Sequence, residues 1–186
     1  MDAGQAAVLV RATARVSAVI LAGNLLVAAR RVGGVVGPER AALRTFDIRL
    51  FVAFIVSHTI HFVCVGLLTL ATAGANIDAR TGYAPVIAVG VLFYLGCVAV
   101  LRVKLRGSFD WARPKDRRIE VWSLVAIWLA FFQAYATRPL ESWLFGALAI
   151  GLLYSMVVFL ARARHRRSTV ICDKIRDSVH LATRIP

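Results

Sequence analysis

Acidic residues are scarce in this chain, with ten Asp and Glu against 23 Lys and Arg in 186 residues. No pair of them falls within any one of its apolar runs, which removes the usual ingredients of a carboxylate proton pump. Cysteine is scarce too. Cys64 and Cys97 lie in apolar stretches and Cys172 in a basic one, with no C-x-x-C spacing, so they form no disulfide framework and read as small buried hydrophobes. There is no G-x-x-x-x-G-K-[ST], no G-x-G-x-x-G followed by an acidic residue and no H-E-x-x-H, which leaves nucleotide chemistry and zinc proteolysis without support.

What is abundant is apolar: 59% of residues, with only 18% charged and a mean hydropathy of +0.71. A soluble domain is nearer half apolar and a quarter charged. Five runs are long enough to consider as membrane spans: Ser17 to Ala29, beginning as early as Ala6 and carrying Arg11 and Arg15; Leu50 to Ala73; Ala84 to Leu101; Val121 to Ala136; and Leu140 to Ala161. Backbone in lipid satisfies its hydrogen bonds internally, so these are helices, and Gly, Pro and Asn punctuate the gaps between them. The expected architecture is an all-α, polytopic membrane bundle over residues 1–161, followed by a basic tail over 162–186. The first run also fits a cleaved signal peptide. Asn24 within it, and Ala28-Ala29 leading straight into Arg30-Arg31, favour a retained helix.

The net charge of +13 is not spread evenly, because nineteen of the 23 basic residues fall in Arg30–Arg49, Arg102–Arg118 and the stretch from Arg162 onward. Only Arg11, Arg15, Arg80 and Arg138 fall on the other side. Positive-inside bias then places the N-terminus outside and the C-terminus in the cytoplasm, in a multi-pass inner (plasma) membrane protein. Membrane-flanking anchors explain this pattern better than nucleic acid does. In the tail, Val170, Ile171, Ile175, Val179 and Ala182 recur at helical spacing, which fits a short interfacial helix or a solvated end.

Within the second run sit Ser57, His58, Thr59 and His61. Ionisable groups near mid-membrane are costly and read by default as functional. At i and i+3 the two imidazoles share one helix face. They are therefore expected to face the bundle interior, with Phe51, Phe54, Ile55 and Phe62 outward. Both cannot be axial ligands of one haem, since axial ligands approach iron from opposite sides. One of them could ligate haem b while the other hydrogen-bonds a propionate or quinone; the bland alternative is a pair of interhelical polar contacts. Asn24 reads as an interhelical hydrogen bond, and Gly90 and Gly96 as close-packing positions. Trp122, Trp128, Trp143, Tyr83 and Tyr135 read mostly as interfacial anchors. Arg44 and Arg49 precede the His helix, where haem propionates or lipid phosphates could engage them.

Two stretches carry a family likeness. Arg44-Thr45-Phe46-Asp47-Ile48-Arg49-Leu50-Phe51-Val52-Ala53-Phe54-Ile55-Val56-Ser57-His58-Thr59-Ile60-His61 resembles the arginine-led, Ser-His-x-x-His helix of ferric-reductase-like transmembrane proteins. Residues 126–140, from Ala126 through Trp128 and Tyr135 to Arg138 and Leu140, resemble their Trp-rich helix, which ends in Tyr-x-x-Arg. The resemblance implies a membrane b-type cytochrome that passes electrons through haem b, to or from a separate redox partner protein or quinone. It makes His58 and His61 the haem-side, metal-binding histidines of the second helix; Arg49, by its position before that helix, is a further candidate cofactor contact. The chain departs from that pattern at the start of the fourth helix, where the family's partner histidine would stand and this sequence has Ile119-Glu120-Val121-Trp122. Glu120 and Gln133 are poor substitutes for an imidazole, Met156 is chemically acceptable but unmatched to the family, and His165 and His180 lie beyond the last span. Three readings stay open: a haem electron-transfer oxidoreductase subunit; a relative that has lost haem and persists as a non-enzymatic membrane subunit; and a small transporter or an enzyme acting on lipid or quinone.

Overall fold

A computed structural model describes residues 3–33, 38–72, 84–106, 114–136 and 143–182, and every described element is helical. The helices are α1 (Ala3–Val32), α2 (Pro38–Thr72), α3 (Ala84–Leu105), α4 (Pro114–Ala136) and α5 (Trp143–Ala182). Their ends follow from local chemistry. Pro38 opens α2 and Pro114 opens α4, each followed in the first turn by an acid, Glu39 or Asp116, that complements the helix dipole. The α1 helix closes on Arg30 and Arg31, with the Gly33 amide returning to the carbonyls of Ala29 (3.0 Å) and Arg30 (3.2 Å). Arg44 caps α3 from outside, its guanidinium donating to the carbonyls of Lys104 (3.2 Å) and Arg106 (2.9 Å).

Among the described residues, three helices are long and apolar enough to cross a membrane by length and composition: Gly4–Val32, Glu39–Leu68 and Trp143–Arg166. The fourth expected span, Val121–Ala136, is the uncharged part of a longer helix, since α4 begins with Lys115, Asp116, Arg117, Arg118 and Glu120. The helices also outrun the apolar runs. The first includes Arg11 and Arg15, the second starts within the basic segment before Leu50, and α5 continues unbroken through the basic stretch to Ala182. Position 162 is therefore no break in secondary structure, and the residues expected to form a separate tail helix extend α5. Ala73, Tyr83, Arg80, Arg138 and Leu140 lie outside the described residues.

Interhelical bonds fix an up-and-down arrangement. Asn24 pairs with Asp47 while Thr13 meets His61, so α1 and α2 are antiparallel. Tyr94 donates to Thr59 (2.9 Å) on the next helix, and the Trp128 indole N–H donates to the Leu152 carbonyl (2.9 Å) between α4 and α5. The centre is filled by Leu21, Leu25, Phe51, Phe54, Leu124 and Phe159. Burial of Phe51 and Phe54 corrects the expectation that they face outward. With His58 they recur at intervals of three and four, which is a single helical stripe, so whatever turns the imidazole inward turns these rings inward too. The outward faces are apolar on all five helices, through Val19 (59% exposed), Val63 (58%), Leu92 (68%), Leu129 (51%) and Ile150 (70%). A bundle apolar inside and out suits a hydrocarbon surround.

Gly90 is a close approach as expected, since a Cβ there would stand 3.3 Å from the Phe62 ring. Gly96 is not, because nothing lies within 4 Å of that position. Trp122 and Trp143 are outward, whereas Tyr135 is buried and Trp128 is used in packing. Cys97 is buried, Cys64 half-buried and Cys172 exposed, all three as free thiols.

Candidate functional site: a histidine-lined cavity and a four-helix charge cluster

His58 is buried and walled by aromatic rings. Its imidazole lies 4.3 Å from the Phe93 ring, 4.9 Å from Phe131, 4.9 Å from Phe62 and 5.9 Å from Phe54, centroid to centroid. His61 stacks beside it at 5.6 Å, the two rings inclined by 29°. Both line a cavity of about 500 Å³ between all five helices, at the end of the bundle away from the basic segments. Arg11 enters it from α1, Gln133 and Tyr135 from α4, and Phe145 from α5. The volume lies within the range of small-molecule and cofactor sites, about 300–1,000 Å³.

The polar groups around the cavity define what it can hold. The Thr13 hydroxyl donates to the carbonyl of Leu9 (2.8 Å) or Val10 (3.1 Å), and its oxygen lies 3.1 Å from His61 Nδ1. His61 also hydrogen-bonds the Val10 backbone, and which ring nitrogen carries its proton depends on the tautomer; with the proton on Nδ1, the Nε2 lone pair is left for a ligand. Two further polar atoms are buried without a hydrogen-bond partner among the described residues, His58 Nδ1 and the Tyr135 hydroxyl. Burying such groups unpaired costs about 1–3 kcal/mol each, which native proteins tolerate chiefly where a water or ligand completes the set.

The cavity also tests the donor set against haem b. The α4 side chain facing His58 is Phe131, and Glu120 lies eleven residues earlier, roughly 16 Å along the helix. Gln133 reaches the cavity, Met156 is in the packed core, and His165 is exposed on the basic part of α5. Among the described residues no group of three or more His, Cys, Asp or Glu is placed to hold a metal ion. One chain therefore offers a haem a single well-oriented imidazole with an aromatic cup, and no second imidazole on the opposite side. Arg49, the other candidate cofactor contact, does not line this cavity. It is exposed, in a groove between α1 and α2.

The second constellation was not foreseen. Arg31, Asp47, Lys104 and Glu120, one from each of α1 to α4, meet at the basic end with side chains between 0% and 7% exposed. Lys104 Nζ donates to both Asp47 oxygens (2.7 and 2.6 Å) and lies 3.3 Å from Glu120 Oε1. Arg31 Nε stands 3.0 Å from Asp47 Oδ2, and its Nη2 donates to Glu120 Oε1. Asn24 completes the set, donating to the Asp47 carboxylate (3.1 Å) as its reading from sequence anticipates. Burial works against ionisation of Glu120, which precedes the uncharged stretch of α4. The Arg31 and Lys104 charges outweigh that burial and hold its carboxyl below the ordinary range. Four charges of balanced sign clamp four helices together.

Comparison with protein-family models, curated proteins and solved structures yields no match for this chain.

Proposed function

We propose that the protein is a five-span membrane subunit whose His58–His61 cavity would hold a b-type haem through the His61 imidazole, so that the protein relays electrons for a separate partner protein or for quinone. The basic end faces the cytoplasm in this reading, and the cavity lies in the outer half of a plasma membrane. The observation that carries it is the approach of Thr13 Oγ1 to His61 Nδ1 (3.1 Å) at the wall of the cavity. A hydrogen bond on the far nitrogen is what fixes ring orientation and basicity in metal-ligating histidines. The likeness of residues 44–61 and 126–140 to ferric-reductase-like helices supports the same assignment.

When bound, haem would supply one-electron redox chemistry, tuned by axial ligand and burial. The chain's own residues do the rest. Thr13 orients His61, and Phe93 and Phe131 keep water from the buried imidazole of His58. Arg11 and Gln133 give the cavity its polar rim. A second reading, a subunit without haem, is favoured by one observation: among the described residues no imidazole from another helix lines the cavity, and Phe131 is the α4 side chain packed on His58.

Absorption spectra of detergent-purified protein, oxidised and dithionite-reduced, decide between them. The expected result is a Soret band that sharpens on reduction. His61→Ala abolishes it, and His58→Ala weakens haem affinity about 10- to 100-fold. Colourless protein after expression with ample haem, together with His→Ala variants within about 1 kcal/mol of wild-type stability, overturns the cytochrome and leaves the histidines as ordinary interhelical contacts.

A further inference from the structure

A second concavity of about 560 Å³ lies on the outer surface between α1 and α2, lined by Ala12, Thr13, Val16, Arg49, Val52, Ala53, Val56, Ser57 and Ile60. Three observations define its occupant. Its α2 wall is an exposed apolar strip, with Val52 41%, Val56 53% and Ile60 51% open. The hydroxyls in it are already engaged, Thr13 with His61 and Ser57 with Ser17 (2.9 Å), so its floor makes no demand for polar partners. The one charge is Arg49, exposed at the basic end and without an ion pair among the described residues. From Arg49 to Ile60 the helix rises roughly 16 Å, about half of a ~30 Å hydrocarbon layer.

We propose that this groove is a phospholipid site: an acidic headgroup phosphate pairs with Arg49 at the membrane surface, and one acyl chain lies along Val52, Val56 and Ile60 to the mid-plane. The charge selects the phosphate, and the length selects a chain from the same leaflet. A second copy of the protein fits less well. Dimers in a membrane share a two-fold axis along its normal, which sets residues of equal depth against each other and would bring two Arg49 side chains together. This inference rests on membrane insertion and not on haem.

The test is native mass spectrometry of delipidated protein in detergent with added phosphatidylglycerol, phosphatidylcholine as the zwitterionic, net-neutral comparison, and inorganic phosphate as the free anion. Wild type is expected to retain one phosphatidylglycerol, in preference to phosphatidylcholine, and not to retain phosphate. Arg49→Gln lowers the bound fraction about fivefold, the effect of one basic residue at a membrane surface. Val56→Trp, at an outward position that tolerates bulk, lowers it by filling the groove while leaving Arg49 in place. Unchanged retention in both variants overturns the proposal, as does retention of phosphate alone. A dimer that Val56→Trp dissolves also overturns it and assigns the groove to a second copy. A normal Soret band with no lipid retained removes this inference alone, whereas lipid retained on colourless protein removes only the haem.

Discussion

Neutralising Asp47 should cost more stability than neutralising Glu120, although both are buried carboxylates facing the same two cations. Asp47 takes Lys104 on both oxygens, holds Arg31 Nε at 3.0 Å and accepts from Asn24. Among the described residues Glu120 bonds through Oε1, and its Oε2 has no hydrogen-bond partner. Breaking a buried pair by removing one partner costs about 3–5 kcal/mol, because the other charge stays buried and uncompensated. That range applies to Asp47→Asn. For Glu120→Gln the amide keeps an acceptor for Arg31 or Lys104, and the loss is that of a charged hydrogen bond, about 2 kcal/mol. The charge-balanced pair Lys104→Met with Glu120→Leu should cost about 1–3 kcal/mol less than the two single changes added together. Reversible unfolding in mixed detergent micelles, followed by circular dichroism, measures all four. If Asp47→Asn falls within about 0.5 kcal/mol of wild type, the size of an ordinary surface substitution, or costs no more than Glu120→Gln, the reasoning from bond count and burial fails.

Two further outcomes follow from geometry already described. A compartment reporter fused after Arg167 should read cytoplasmic and one inserted near Asp78 external; identical compartments would refute the five-span arrangement. Glu120 titrates below the ordinary glutamate value of about 4.3 when folded. Its stabilising contribution should therefore be complete above that pH and vanish as pH falls through the folded value, and melting curves of Glu120→Gln should lack that acid limb.

Much of the fold is legible in the sequence because long apolar runs and helix-breaking residues carry direct signals of length and period. Helix ends are less so: α2 begins twelve residues before Leu50, since Pro38 and Glu39 start a helix whatever the polarity of the next turns. The outward placement of Phe51 and Phe54 failed for a simpler reason. Hydrophobicity alone does not separate lipid contact from core packing, whereas the three- and four-residue spacing to His58 puts all three on one stripe. The charge cluster is the hardest feature to read. Arg31, Asp47, Lys104 and Glu120 each sit at the edge of a different apolar run, among basic residues that look like interfacial anchors. The available signal was Asp47 and Glu120 themselves, acids embedded in cationic segments where an anion serves no anchoring purpose. Joining them to Arg31 and Lys104 needs the packing of four helices, which no spacing along the chain encodes.

The partners within that cluster also bear on how the bundle holds together. Arg31 faces Asp47 within the α1–α2 hairpin and Lys104 faces Glu120 within α3–α4, so each hairpin carries its own counter-ion and no net buried charge from these residues. Lys104 also meets Asp47, and Arg31 meets Glu120, across the two hairpins. Each charge therefore has one partner within its hairpin and one beyond it, so parting the hairpins would halve the pairing of every charge without leaving any of the four alone.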